Sequence, residues 1–274
     1  MSTPAAADLT IAVLLPDVLG TYSDAGNAVV LAERARRRGV HAEIRTVTLT
    51  DVPPRGADVY LLGGGEDAAL PAAARWLLRH RLREALACAP AVLAVCAGFQ
   101  LLGGTITDQA GRVVQGLELF DVETVPGPRR AVGEVVASAT IAAMGELTGF
   151  ENHRGQTTLG PGVRPLAVPT RGTGNGTSQD GRPSEGARCG PVVGTYLHGP
   201  VLARNPALAD HLLRLATGLD QPTLELPDQE PLRRAYLDLP TGARPARWRP
   251  AGLIRAPTLS PQRRQSPGDQ RSGT

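Results

Sequence analysis

Short apolar runs of strand length, each followed by a turn and helix-forming residues, constrain this chain more than any other feature. Residues 9–15 (LTIAVLL), 58–62 (DVYLL), 91–95 (AVLAV) and 192–197 (VVGTYL) carry few polar side chains. A strand exposed on one face alternates apolar and polar residues, so near-continuous apolar runs indicate strands covered on both faces. Between them the spacing predicts a helix from Ser23 or Asp24, as cap, to Arg38, and another over 71–87. Residues 41–49, rich in β-branched side chains, read as a further strand. Alternating strands and helices predict an α/β fold, a mostly parallel sheet flanked by helices. The β-branched segments of 112–160 suggest added antiparallel strands, 171–190 a polar surface loop, and 205–218 and 228–237 two more helices.

All 29 cationic side chains are arginine; the 274 residues contain no lysine. Schiff-base chemistry, a pyridoxal anchor and a Walker-A lysine are thereby excluded from this sequence. Seven of the arginines, against the single acid Asp269, fall after residue 240. The remaining residues are mildly acidic, which argues against a nucleic-acid surface. We expect a flexible N-terminus over 1–8, a folded domain over 9–240, and a disordered Arg/Pro-rich tail over 241–274. No apolar run approaches the roughly 18 residues of a membrane span, and no basic segment leads an apolar one at the N-terminus. Cys88, Cys96 and Cys189 form no CxxC pair, so neither a disulfide framework nor a metal site is expected, and the cytoplasm is the default location.

The sharpest chemical signal is AVLAVCAGFQLLGG, residues 91–104. A buried strand runs straight into Cys96, and Ala97 and Gly98 follow before helical residues resume, the pattern of a nucleophile elbow. A helix N-terminus beyond the cysteine favours thiolate, and backbone N–H groups at such a turn can stabilise an oxyanion. A buried, inert cysteine is the competing reading. His198, directly after the apolar run 192–197, is placed to meet an elbow nucleophile on a neighbouring strand; His153, in GFENHRGQT, is less well placed. Gly63–Gly65 lack both GxGxxG spacing and a lysine, so an oxyanion loop or a plain tight turn fits better than a phosphate cradle. Arg130, beside Arg129, would bind a carboxylate only if its guanidinium were held in place.

Five motifs in one order, TYSDAGN (21–27), LLGGGED (61–67), VCAGFQLLGG (95–104), GFENHRGQT (149–157) and GTYLHGP (194–200), resemble the class I glutamine amidotransferases. Within them the likeness is to the cobyric-acid-synthase-like group, and more narrowly to the glutaminase subunits of lipid II isoglutaminyl synthase. The resemblance implies a flavodoxin-like fold and a glutaminase in which Cys96 attacks the side-chain amide of L-glutamine and His198 shuttles the proton. It further implies Gly64 and Ala97 as oxyanion donors and Arg130 as substrate-binding residue, with Gln100 a weaker contact. The wider superfamily places a glutamate two residues after the histidine, where this chain has Pro200. The expectation is therefore a Cys–His dyad completed by an acid from a partner. That partner would be a MurT-like Mur ligase subunit forming a heterodimer, holding ATP and Mg²⁺ and amidating the α-carboxyl of D-glutamate in lipid II at the inner face of the membrane. No cofactor or metal is expected in this chain. A glutaminase for another synthetase, such as one amidating a corrinoid, or a non-catalytic binding module on the same fold, are the alternatives.

Overall fold

A computed structural model of the chain describes residues 8–177, 181–220, 224 and 226–238. The first half alternates strand and helix: β1 (Leu9–Leu14), α1 (Gly26–Arg36), β2 (Ala42–Val47), β3 (Val59–Leu62), α2 (Leu70–Arg79), α3 (Leu82–Ala87), β4 (Ala91–Val95) and α4 (Ala97–Leu102). Then follow β5 (Thr105–Thr107), β6 (Val113–Gln115), β7 (Val122–Ala139), β8 (Glu146–Leu159) and β9 (Ala167–Arg171). The chain continues through β10 (Gly176–Thr177), β11 (Pro183–Ser184), β12 (Ala187–Cys189), β13 (Val192–Thr195), α5 (Val201–Arg204), α6 (Pro206–Thr217) and α7 (Gln229–Leu237).

The main sheet has six strands in the order β12-β13-β4-β3-β1-β2. All neighbours are parallel except β12, which runs antiparallel to β13 at the edge. Every residue of β3, β4 and β13 is buried, which is the physical reason these runs show no alternation. β2 lies at the opposite edge and buries only Val47. α1 covers the sheet with Ala28, Leu31 and Ala35, and α6 with Leu208, Leu212 and Leu213. Each fully buried leucine contributes roughly 1.5–3 kcal/mol relative to exposure. The scarce aromatics are concentrated: Phe99 meets Phe120 and Tyr196 edge-on at 5.8 and 5.4 Å between ring centroids.

A second sheet in the order β6-β5-β7-β8, with β9 also on β7, supplies the added strands, antiparallel except where β5 runs parallel to β7. Its long β7–β8 hairpin breaks register between Pro126 and Ala131. The hairpin reaches back to the main sheet: Phe150 and His198 exchange backbone hydrogen bonds at 3.1 and 2.9 Å.

Three expectations need correction. The helix anticipated over 71–87 is two helices, broken at Arg81, whose φ of +50° lies outside the right-handed helical region. Neither Ser23 nor Asp24 caps α1, which begins at Gly26 with no side-chain cap; the Asp24 carboxylate is used elsewhere. Residues 171–190 are not a plain surface loop. Asn175, Ser184 and Glu185 are buried there, and hydrogen bonds rather than apolar contacts hold them. Asn175 alone binds Ser184 Oγ and both the N–H and C=O of Gly186. The Asp8 N–H donates to the His41 carbonyl at 2.9 Å, beside the start of β1. Residues 1–7 and the tail over 241–274 lie outside the described residues.

Candidate active site

Four neighbouring parallel strands deliver the site at their C-terminal edge, where open α/β sheets expose their loops. β1 leads into the loop that ends at Asp24, β3 into Gly63–Gly65, β4 into Cys96 and β13 into His198. Cys96 sits between β4 and α4 at φ +51°, ψ −108°, a conformation that costs on the order of 1–3 kcal/mol. Its surroundings hold it there: its N–H donates to the Thr195 carbonyl at 2.8 Å, and the next turn is pinned by Gly98 N–H to the Gly63 carbonyl at 3.1 Å. Only glycine fits at 98, where a Cβ would lie 2.8 Å from Leu62 Cβ and 2.9 Å from the Gly63 carbonyl oxygen. The strand–cysteine–helix turn of the expected elbow is present.

Gly64 is the point on which the other groups converge. A Cβ built there would stand 2.6 Å from His198 Cε1, 3.2 Å from Asp24 Oδ2 and 3.3 Å from Cys96 Cβ. Cys96 and His198 are thus brought together, with Asp24 beside them. Asp24 Oδ2 accepts from His198 Nδ1 at 3.0 Å and from the Gly64 N–H at 2.8 Å. Both side chains are almost fully buried, Asp24 at 2% and His198 at 1% exposure. A carboxylate on Nδ1 puts the neutral ring's proton there and leaves Nε2 as the basic nitrogen. Nε2 is buried and makes no hydrogen bond among the described residues.

This geometry corrects two expectations. An acid already faces the imidazole from within the chain: Asp24, from before α1, stands on His198 Nδ1 where a partner's carboxylate was expected. The Gly64 N–H, expected to face an oxyanion, is committed to Asp24; what Gly64 contributes is the absence of a side chain. Ala97, by contrast, has its N–H against the Cys96 sulfur.

Burial pushes the Cys96 thiol up to about 12, reinforced by the charge of Asp24 and opposed by the Ala97 N–H and by Arg130. The helix N-terminus was expected to favour thiolate, but α4 is short and desolvation outweighs it. The resting nucleophile is a neutral thiol beside an unpartnered imidazole nitrogen. Such a pair can act if the proton passes to Nε2 as the sulfur attacks.

Arg130 lies in the register break of β7 between Pro126 and Ala131. Its Nε donates to Asn152 Oδ1 at 2.5 Å and Nη2 faces the Asn152 carbonyl at 3.5 Å, so the guanidinium is held although exposed. Gln100 is not at the surface of the site: its amide donates to the Tyr196 hydroxyl at 3.1 Å inside a buried polar chain. His153 stacks on Tyr196 at 3.8 Å with Nδ1 on the Gly155 carbonyl, and serves the same interior. Sequence reasoning missed Asp24 and Asn152. Both sit inside motifs that it had singled out, and the available signal was a carboxylate closely following β1 in TYSDAGN. A cavity of about 950 Å³ lined by Arg34, Met144, Asp210, Leu226 and Gln229 shares no residue with this site.

Residues 10–206 match the CobB/CobQ-like glutamine amidotransferase domain. The chain belongs to that family. It is 32% identical to the lipid II isoglutaminyl synthase (glutamine-hydrolyzing) subunit GatD of Staphylococcus aureus, over 76% of this chain and 84% of that protein. The GatD subunit of Streptococcus pneumoniae is 32% identical over 76% of this chain and 80% of its own length. A probable cobyric acid synthase of Halobacterium salinarum is also 32% identical, over 89% of this chain but 47% of that protein. A crystal structure of a glutamine amidotransferase superimposes with a TM-score of 0.50 at 18% identity, covering 76% of this chain and 99% of that one, and supports the class I amidotransferase fold. No helix among the described residues is long and apolar enough to cross a membrane.

Proposed function

We propose that this chain hydrolyses L-glutamine to glutamate and ammonia, and passes the ammonia to a separate ATP-dependent ligase. The observation that carries the hydrolytic step is the convergence of Cys96, His198 and Asp24 on the side-chain-free Gly64. The Cys96 sulfur attacks the side-chain amide carbon as its proton moves to His198 Nε2. Asp24 holds the ring in the required tautomer and balances the imidazolium. Negative charge collects on the amide oxygen, where the Ala97 N–H is the donor nearest the sulfur. His198 returns the proton to the amide nitrogen, the C–N bond breaks, and ammonia leaves a γ-glutamyl thioester. Water, deprotonated by His198, then releases glutamate and restores the thiol. Arg130 binds the α-carboxylate through the edge of its guanidinium that Asn152 leaves open.

For the acceptor, the likeness to the GatD subunits, 32% identical over 84% and 80% of their lengths, favours the lipid II isoglutaminyl synthases. A lysine-free sequence supplies no Walker-A lysine, which is consistent with ATP and Mg²⁺ residing on a MurT-like Mur ligase partner. On this reading the heterodimer amidates the α-carboxyl of D-glutamate in lipid II to D-isoglutamine, and the chain works in the cytoplasm. Glutamate release by the full chain, with Cys96→Ala as control, tests the hydrolytic step. Activity that survives in Cys96→Ala refutes it. Co-purification from the native cell tests the partner: a corrinoid-amidating synthetase in place of a Mur-type ligase would replace the acceptor while leaving the glutaminase intact.

A further inference from the structure

Two of the sequence motifs, TYSDAGN and GFENHRGQT, meet at a contact that the hydrolytic chemistry does not use. Asn152 takes the Arg130 Nε on its side-chain oxygen at 2.5 Å. That fixes the orientation of its amide, because a guanidinium only donates. The amide nitrogen then points the other way and donates to the Tyr22 hydroxyl. Tyr22 in turn lies over His198, ring centroids 4.8 Å apart and tilted by 56°. Its other neighbour is Phe150, 6.1 Å away, the residue whose backbone pairs with His198. An unbroken chain of contacts therefore runs from the guanidinium to the imidazole: Arg130, Asn152, Tyr22, His198.

The backbone shows that Tyr22 is held in place. Tyr22 and Ser23 both sit at φ +61°, and Asp24, the acid on His198 Nδ1, follows directly. Non-glycine residues avoid this region unless their surroundings impose it. The same strained turn thus delivers the ring that covers the imidazole and the carboxylate that orients it. At the far end, Arg130 Nη1 has no protein partner among the described residues, so the outer edge of the guanidinium is open to an incoming carboxylate. Tyr22 accepts from Asn152, which leaves its own hydroxyl proton to donate to the same ligand.

We propose that Asn152 and Tyr22 are positioning residues acting as one unit, which presents Arg130 to the α-carboxylate of an amino-acid amide and ties that recognition to the imidazole of His198. The unit makes the site selective for amides that carry a free α-carboxylate over plain amides of similar size. The inference rests on the glutaminase reading and deepens it.

The test uses the full chain and two electrophiles that label a thiol: 6-diazo-5-oxo-L-norleucine, which carries glutamine's α-carboxylate, and iodoacetamide, which does not. Labelling is read on the Cys96 peptide, because Cys88 and Cys189 are exposed and will also react. Asn152→Ala is expected to lower the ratio of diazoketone to iodoacetamide labelling by about tenfold, the size of one lost charge-assisted hydrogen bond. Tyr22→Phe keeps the ring on His198 and removes only the hydroxyl, and is expected to shift the ratio in the same direction. The double variant should be no worse than Asn152→Ala alone, because both substitutions cut one chain. Additive losses overturn the unit. A fall in both labelling rates with an unchanged ratio overturns the recognition role, since general loosening of the fold has that effect. A wild-type chain that the diazoketone does not label overturns the glutamine reading together with this one, whereas a labelled wild type with indifferent variants overturns this one alone.

Discussion

Replacing Asp24 by asparagine tests the catalytic arrangement most directly, because it changes charge while nearly preserving shape. The amide oxygen can occupy the position of Oδ2 and still accept from both His198 Nδ1 and the Gly64 N–H, now 3.0 and 2.8 Å away. What disappears is the negative charge opposite the imidazolium that forms when the thiol proton is transferred. With charge centres about 4 Å apart and an effective dielectric constant near 20, that interaction is worth about 4 kcal/mol, or roughly 10³-fold in rate. A smaller effect opposes it. Asp24 is the second cause, after burial, of the raised thiol, so removing its charge eases ionisation of Cys96. The imidazole touches the carboxylate and the sulfur does not, so the loss dominates and kcat should fall by about 10²–10³. The new amide N–H₂ would stand where Asp24 Oδ1 is buried without a partner, which costs about 1–3 kcal/mol of stability. Glutamate release gives kcat, and a thermal melt on the same sample separates chemistry from folding. A kcat within about threefold of wild type, on a folded chain, would refute the reasoning and move the acid to another polypeptide.

Other substitutions probe the same geometry from different sides. Gly64→Ala puts a methyl 2.6 Å from His198 Cε1, well inside the ~3.5 Å of a normal carbon contact, so the ring must leave Asp24. Glutaminase activity should fall by at least about 10²-fold for about 1–3 kcal/mol of stability. Alkylation of Cys96 by iodoacetamide should keep accelerating as pH rises beyond 8, because the thiol is pushed up to about 12; a plateau already reached at neutral pH would indicate a preformed thiolate. Glu185, with no exposed surface, is raised from 4.5 to about 7 mainly by burial. A carboxyl raised on folding stabilises the native state while protonated. Its contribution is full below about pH 4.5 and is lost as pH climbs through about 7, a loss on the order of 3 kcal/mol at most. Glu185→Gln should therefore melt higher than wild type at pH 8 and flatten this slope; an unchanged pH dependence of Tm would show that Glu185 does not titrate in this range.

The parallel core was legible because burial on both faces leaves a direct mark: β3, β4 and β13 are apolar at almost every position. Cys96 was legible for a related reason. An elbow needs a buried strand, a nucleophile and small residues in succession, and all three are contiguous. The break at Arg81 was not, since Ala-, Leu- and Arg-rich residues on both sides are good helix formers and only packing decides where the helix turns. The burial of Asn175, Ser184 and Glu185 was hidden because their polar groups are satisfied by specific partners, such as Thr195 and Tyr196 for Glu185, that leave no local pattern.

Local order in the chain, then, determined the layered α/β architecture, the elbow at Cys96, the histidine after β13 and the lack of any lysine chemistry. Each of these is written in consecutive residues, where periodicity and composition act. Only the tertiary structure decided what surrounds the thiol. Asp24 and His198 are 174 positions apart in the chain, and Arg130 and Asn152 are 22 apart across a break in register. Strand order and that break in register bring these groups together, and neither leaves a trace in local sequence. Tertiary burial also set the charge state of the nucleophile. A helix N-terminus visible in the sequence favours thiolate, but the desolvation that overrides it exists only once the sheets have closed over Cys96.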